Sequence, residues 1–197
     1  SNNSLHLVYS NNQENKLLIE YVKFDFEGRV LYKNTISGNY KNAINPCMKI
    51  DNGILYIAFQ AKEPDVQSGI FYNIYLAYSS INANAWTYKR AVTSAGENNQ
   101  GPFIYIDKKE CLLVWEKEDS NFINHIYYKS FFIDSDASIQ ETMLSAKTSE
   151  AHSPNILKFN DNSYAFWYDN VDGTFQNYYA LIFRGEVVER ASIKPKK

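Results

Sequence analysis

Three polar stretches, similarly spaced along the chain, carry most of the side chains that could do chemistry. They are "QAKEPDVQSG" from Gln60, "EKEDSNFINH" from Glu116 and "YDNVDGTFQN" from Tyr168. They hold Glu63 and Asp65, then Glu116, Glu118, Asp119 and Asn121, then Asp169 and Asp172. Carboxylates set among amides and aromatic rings can hydrogen-bond sugar hydroxyls, coordinate calcium or meet a basic protein surface. Any one of these residues is unremarkable, since connecting loops are polar anyway; the threefold recurrence marks the group. His152 stands directly before "SPN" and is expected at the same rim, whereas His125 lies in or beside a strand. Neither has a second ligand at a metal-binding spacing. "DNVDG" at Asp169 has the acid spacing of a calcium loop but not its further ligands or closing glutamate, and reads as a turn. No Ser-His-Asp or Cys-His arrangement emerges from spacing, and no metal or cofactor is called for.

What must position these loops is a repeat. "NPCMKIDNGILYIAFQAK", "GPFIYIDKKECLLVWEKE" and "SPNILKFNDNSYAFWYDN" share a proline, a short strand, a polar turn and an apolar strand ending in an aromatic ring, and Pro46, Pro102 and Pro154 lie 56 and 52 residues apart. Units of that size, each too small to bury both faces of its own sheet, point to propeller blades. The second unit reads as strands "CMKI", "ILYIAFQ", "IYLAYSS" and "WTYKRAV". The third reads as "FIYI", "CLLVWE", "IYYKSFF" and "SIQETML", and the fourth as "NILKF", "SYAFWY", "YYALIF" and "EVVERAS". The start of the chain supplies "LHLVYS", "LLIEYVKFDF" and "RVLYKNTIS" as strands two to four, with the innermost strand missing. The expectation is an all-β fold, one β-propeller domain over 1–197 with about four blades of four antiparallel strands (units near 5–45, 46–101, 102–153 and 154–197). The incomplete first blade implies a piece of a larger propeller, unusual closure, or self-association.

Burial patterns agree with that architecture. "ILYIAF", "CLLVW" and "YAFW" are nearly continuous apolar runs, as strands covered on both faces require. Outer strands such as "TYKRAV" alternate charged and apolar residues. Phe59, Trp115 and Trp167 occupy equivalent positions, which assigns them to packing between blades, with Tyr9 completing the set. Composition adds exclusions. At 197 residues and 45% hydrophobic content the chain can bury a sizeable core. With 20 basic against 22 acidic side chains there is no electrostatic footprint for nucleic acid. Apolar runs of about six residues fall far short of the roughly 20 that a transmembrane helix needs. Cys47 and Cys111 fall in strands of neighbouring units and read as free, buried thiols.

The hairpin "IYLAYSSINANAWTYKR" places Ser80, Asn82, Asn84 and Trp86 so that it resembles a degenerate Asp-box, the S-x-D-x-G-x-T-W turn of sialidase-like (BNR-repeat) propellers. The spacing is one residue shorter, and asparagines replace the aspartate and the glycine. The resemblance implies a propeller in which this turn is structural and lies away from any active site. It also implies that a working sialidase would clamp a carboxylate with three arginines near the axis and use an acidic acid/base with a tyrosine nucleophile. Arg29, Arg90, Arg184 and Arg190 instead fall in or beside outer strands, and the inner strands offer no carboxylate. Asp51 and Asp107 follow inner strands at turn positions. The leading expectation is a noncatalytic module, extracellular or at the cell envelope of a bacterium, that binds a glycan or protein through the polar loops. A glycoside hydrolase of sialidase-like lineage, completed by residues elsewhere, and a structural assembly module are the alternatives.

Overall fold

A computed structural model of the chain describes residues 4–62, 71–81, 85–90, 97–135 and 140–193. Its strands form four antiparallel sheets, each a meander in chain order. The first holds β1 (Leu5–Gln13), β2 (Lys16–Phe24) and β3 (Val30–Thr35), and the second β4 (Lys41–Asp51), β5 (Ile54–Lys62), β6 (Asn73–Ser80) and β7 (Thr87–Arg90). The third holds β8 (Asn98–Asp107), β9 (Glu110–Glu118), β10 (Asn124–Phe132) and β11 (Thr142–Met143), and the fourth β12 (Glu150–Phe159), β13 (Asn162–Val171), β14 (Thr174–Phe183) and β15 (Glu186–Ser192). The expected propeller of antiparallel blades is present, and among the described residues the first blade has three strands and no inner one. Among the described residues no helix is long and apolar enough to cross a membrane.

Three apolar layers hold the sheets together. Ile19 and Tyr21 of β2 meet Ile57, Phe59 and Tyr75 of the second sheet. Tyr56, Ile74 and Leu76 of the second meet Leu113, Trp115 and Phe131 of the third, and Val114, Ile126 and Tyr128 of the third meet Ile156, Trp167 and Ile182 of the fourth. Phe59, Trp115 and Trp167 each lie in the layer between their own sheet and the preceding one, as their repetition implied. Trp86 also packs here, edge-on to Tyr21 at 5.4 Å; Asn82 and Asn84 lie outside the described residues. Both thiols are free, and burial pushes the Cys111 thiol well above its ordinary range.

The prolines do not open the inner strands, as the repeat suggested; they sit within them. Asn45, Gly101 and Ser153, with φ of 52°, 55° and 56°, precede the three prolines, and the ladder slips register at each. Proline has no N–H to give a ladder, so the strand bulges around it. At two of the bulges the N–H before the proline reaches across to the neighbouring sheet. Gly101 N–H donates to Gln60 Oε1 at 2.7 Å, and Ser153 N–H donates to Glu116 Oε1 at 2.8 Å.

The β13–β14 connection also departs from the loop expected over 168–177. Asp172 and Gly173, with φ of 53° and 77°, make a two-residue turn, and pairing runs up to Val171 and Thr174. An Asp-Gly pair with both residues at positive φ suits the right-handed twist of a tight hairpin, so the strands swallow the loop.

Trp115 Nε1 donates to Asn99 Oδ1 at 2.9 Å, and both residues are fully buried. Trp115→Phe keeps a ring in place but leaves that carbonyl oxygen without its donor. Urea unfolding of the variant should show a loss of about 1–3 kcal/mol; an unchanged midpoint and slope would show the bond to be dispensable.

Candidate functional site

The strand ends where β8 and β12 begin carry two adjoining clusters. The first is a cavity of about 450 Å³ lined by Phe71, Glu97, Asn98, Lys117, Glu118, Asp119, Phe122, His125 and Tyr127. Asp119 organises its wall. The Asp119 Oδ1 atom accepts from the N–H of Asn121 at 2.8 Å and of Ile123 at 3.0 Å, and Oδ2 lies 3.4 Å from His125 Nε2. The Ile123 N–H, helped by those of Asn121 and His125, holds the Asp119 carboxyl below the usual carboxylate range against a smaller opposing effect of desolvation. The resulting tight loop puts Phe122 at φ 63° with its ring 80% exposed. A bulky residue rarely adopts that conformation, and such strain collects where a structure has a use for it. Phe71 stands beside the start of β8, where Tyr72 N–H donates to Asn98 Oδ1 at 3.2 Å and Asn99 N–H to the Tyr72 carbonyl at 3.0 Å. His125 is only 5% exposed, and its Nδ1 has no hydrogen-bond partner among the described residues.

The second cluster borders the opening where the three bulges meet, a cavity of about 520 Å³ lined by Pro46, Pro102, Pro154, Gly101, Ser153 and Glu116 among others. Glu116 accepts from Ser153 N–H through Oε1, and its Oε2 lies 3.2 Å from His152 Nδ1; His152 Nε2 lies 3.2 Å from Glu150 Oε1. An imidazole thus stands between two carboxylates. A neutral ring can donate to one of them and a protonated ring to both.

The structure divides the expected site residues. Glu118 and Asp119 share the rim cavity, and Asn121 belongs to the same loop through its N–H. Glu116 and His152 meet at the opening instead. Asp169 does not face the rim: it is 2% exposed, points to the third sheet with Trp167, and accepts from Trp167 Nε1 at 3.1 Å. The tight hairpin extends β13 past Asp169, so strand alternation turns that side chain inward. Asp172 is an exposed turn residue. Glu63 and Asp65 lie outside the described residues. Sequence reasoning missed Phe71, Phe122, Glu97 and Glu150 and placed His125 outside the site. The signals were slight: Glu150 is two residues from His152 and hence on the same face of a strand, and Asp119 meets His125 across a hairpin. Asp107 ends β8 at the far end of the blade and pairs with Lys158 of the fourth sheet at 2.7 Å, an inter-blade tie. Arg29, Arg184 and Arg190 lie in outer strands or their turns, and Arg90 ends β7.

No protein-family model matches the sequence, and no curated protein sequence matches it. The fold resembles that of solved glycoside hydrolases. It aligns with the GH43 endo-arabinanase from Bacillus licheniformis at TM-score 0.56 and 14% identity, covering 100% of this chain and 78% of that one. For a thermostable family-43 glycoside hydrolase the TM-score is 0.58 at 12% identity, over 98% and 74% of the two chains. For the α-L-arabinofuranosidase from Lactobacillus brevis it is 0.57 at 13% identity, over 95% and 68%. At these identities the likeness shows the fold alone: the chain is a β-propeller of the architecture found in glycoside hydrolases.

Because the Asp119 carboxyl is held below its ordinary value, its contribution is present above the unfolded value of about 3.9 and is lost as pH falls through the folded one. The Asn121 and Ile123 amide protons should therefore stay protected from exchange at neutral pH and lose protection under acid conditions. Asp119→Asn, which retains an acceptor but cannot ionise, should remove the pH dependence; an acid transition that persists in this variant would assign it elsewhere.

Proposed function

We propose that this propeller is a noncatalytic binding module, acting outside the cell or at its envelope, that recognises a glycan at the rim cavity of the third sheet. One observation carries the reading. Two phenyl rings are exposed around a cavity whose wall holds a buried histidine nitrogen without a partner among the described residues. Exposed rings offer apolar faces to the C–H surface of a sugar, and convergent polar groups fix its hydroxyls. The names of the structurally similar proteins, an endo-arabinanase and an arabinofuranosidase, support a carbohydrate over a protein ligand. The Asp119 network serves the reading by holding Phe122 in its exposed position.

A glycoside hydrolase is the second reading, favoured by Glu116, His152 and Glu150 beside the bulged inner strands. Against it, both Glu116 oxygens already have partners, one of them the Ser153 N–H that ties the third sheet to the fourth. A carboxylate fixed in this way holds the scaffold together and is a poor shuttle for protons.

A glycan array probed with the folded protein should show binding, and Phe122→Ala should weaken it about tenfold or more without changing the melting temperature, since the ring lies in solvent. A blank array together with a blank pulldown would overturn the binding reading. Turnover of a fluorogenic glycoside panel, abolished by Glu150→Gln, would install the second reading in its place.

A further inference from the structure

Every joint between blades is made of two unlike halves. β5 gives Leu55, Ile57 and Phe59 to the preceding sheet and Tyr56 and Ala58 to the following one. β9 gives Leu113 and Trp115 to the preceding sheet and Leu112 and Val114 to the following one. Four sheets in series make three such joints and leave one half of each kind over. Among the described residues no apolar cluster joins the first sheet to the fourth.

The spare following face belongs to the fourth sheet. Trp167 takes the place of Trp115 there, so Tyr164 and Phe166 take the places of Leu112 and Val114. They share their face with Tyr168 and Phe175, which are 50% and 60% exposed. The spare preceding face belongs to the first sheet, where Leu5 and Leu7 are 52% and 46% exposed beside Phe24 and Val22. Both faces continue the apolar layers that hold the other sheets together, and apolar surface of this extent marks a contact site.

Charge agrees with a contact between these two faces. Glu186 and Glu189 lie on the outer strand of the fourth-sheet face, opposite Phe183 and Leu181. Lys33 lies on the outer strand of the first-sheet face, opposite Val22, and is half exposed although it pairs with Glu20 at 2.9 Å. Glu20 itself is buried and accepts from the Tyr9 hydroxyl and the Gln13 amide, so covering this face strands no charge.

What covers the fourth sheet must offer an apolar preceding face, and what covers the first must offer an apolar following face. The chain carries one of each. We infer that copies of this protein join head to tail, the first sheet of one copy packing on the fourth sheet of the next and repeating the joint between blades. The two surfaces differ, so the contact is heterologous and either closes into a ring or extends.

Sedimentation velocity of the whole chain tests this. Wild type should run at twice its 22.8 kDa mass or more, in a fraction that rises with concentration. Tyr168→Glu with Phe175→Glu blocks one face, and Leu5→Glu with Leu7→Glu blocks the other; circular dichroism checks the fold of both double variants. Each alone should be monomeric, and their equal mixture should form dimers and stop there, because each pair keeps a single matched joint. Wild type that stays monomeric at the highest concentration would overturn the inference and leave the two faces to a different polypeptide. A blocked variant that still assembles alone would show like faces pairing and overturn the head-to-tail contact, as would a mixture that stays monomeric. If a variant does not fold, carbodiimide cross-linking of mixed isotope-labelled and unlabelled wild type decides. Lys33 of one copy should link to Glu186 or Glu189 of another; links confined within single copies would overturn the inference.

Discussion

A sheet of four short strands has two faces and too little substance to bury either by itself, and this one constraint governs the molecule. The second strand of a blade with a neighbour on each side must be dry on both faces, so β5 and β9 are nearly continuous apolar runs, and their neighbours must supply the cover. Phe59, Trp115 and Trp167 are the large side chains placed at that demand, one in each layer. Fully burying such rings contributes on the order of 1.5–3 kcal/mol each, more than a surface ion pair of ~0–1 kcal/mol can offer. The aromatic layers therefore carry the assembly. Ties such as Lys158 to Asp107 set alignment between blades already held together.

The same constraint explains why candidate chemistry collects at one end of the blades. Between sheets the layers are built of apolar side chains, whereas at the strand ends the backbone must turn and finds partners among side chains. Asp119 shows how a loop there becomes rigid without a core: one carboxylate accepts two backbone N–H groups and faces a histidine, and the phenyl ring beside it is displayed to water. Gln60 and Glu116 solve the related problem at the inner strands. A proline in β4, β8 and β12 removes a ladder donor and the strand bulges; at Gly101 and Ser153 the displaced N–H is satisfied from the adjoining sheet. Sequence punctuation that looks like a boundary is thus the site of inter-blade bonding.

Architecture was legible in the chain because it depends on period and on runs. Prolines about fifty residues apart, second strands apolar throughout and aromatic residues recurring in register all survive small errors of placement. Site residues are less forgiving, because a strand reverses a side chain with every step. Treating 168–177 as a loop sends Asp169 to the rim; letting Asp172 and Gly173 close a tight turn puts it in a strand and turns it into the layer beside Trp167. His125 was passed over for a similar reason. Its partner lies across a hairpin, and only the fold of that loop brings Nε2 to Asp119. Glu116 is expected at the rim with the other loop acids, yet its position one residue after Trp115 points it at the next sheet, where it meets the bulge at Ser153.

That position can be followed through the blades. Gln60 follows Phe59, Glu116 follows Trp115, and Tyr168 follows Trp167, so the three face the same way from their sheets. Gln60 and Glu116 reach a neighbour's freed N–H; Tyr168 is half exposed and stands on a face with Tyr164, Phe166, Phe175 and Phe183. The first sheet shows the opposite surface, with Leu5 and Leu7 exposed where the second sheet buries Leu55 and Ile57. Burial in β13 accordingly alternates where that of β5 and β9 does not. The alternation in β13 is no sign of a different kind of strand, since its outward residues are as apolar as those buried elsewhere. Composition at these positions follows the blade interface, and exposure follows only the presence of a neighbour.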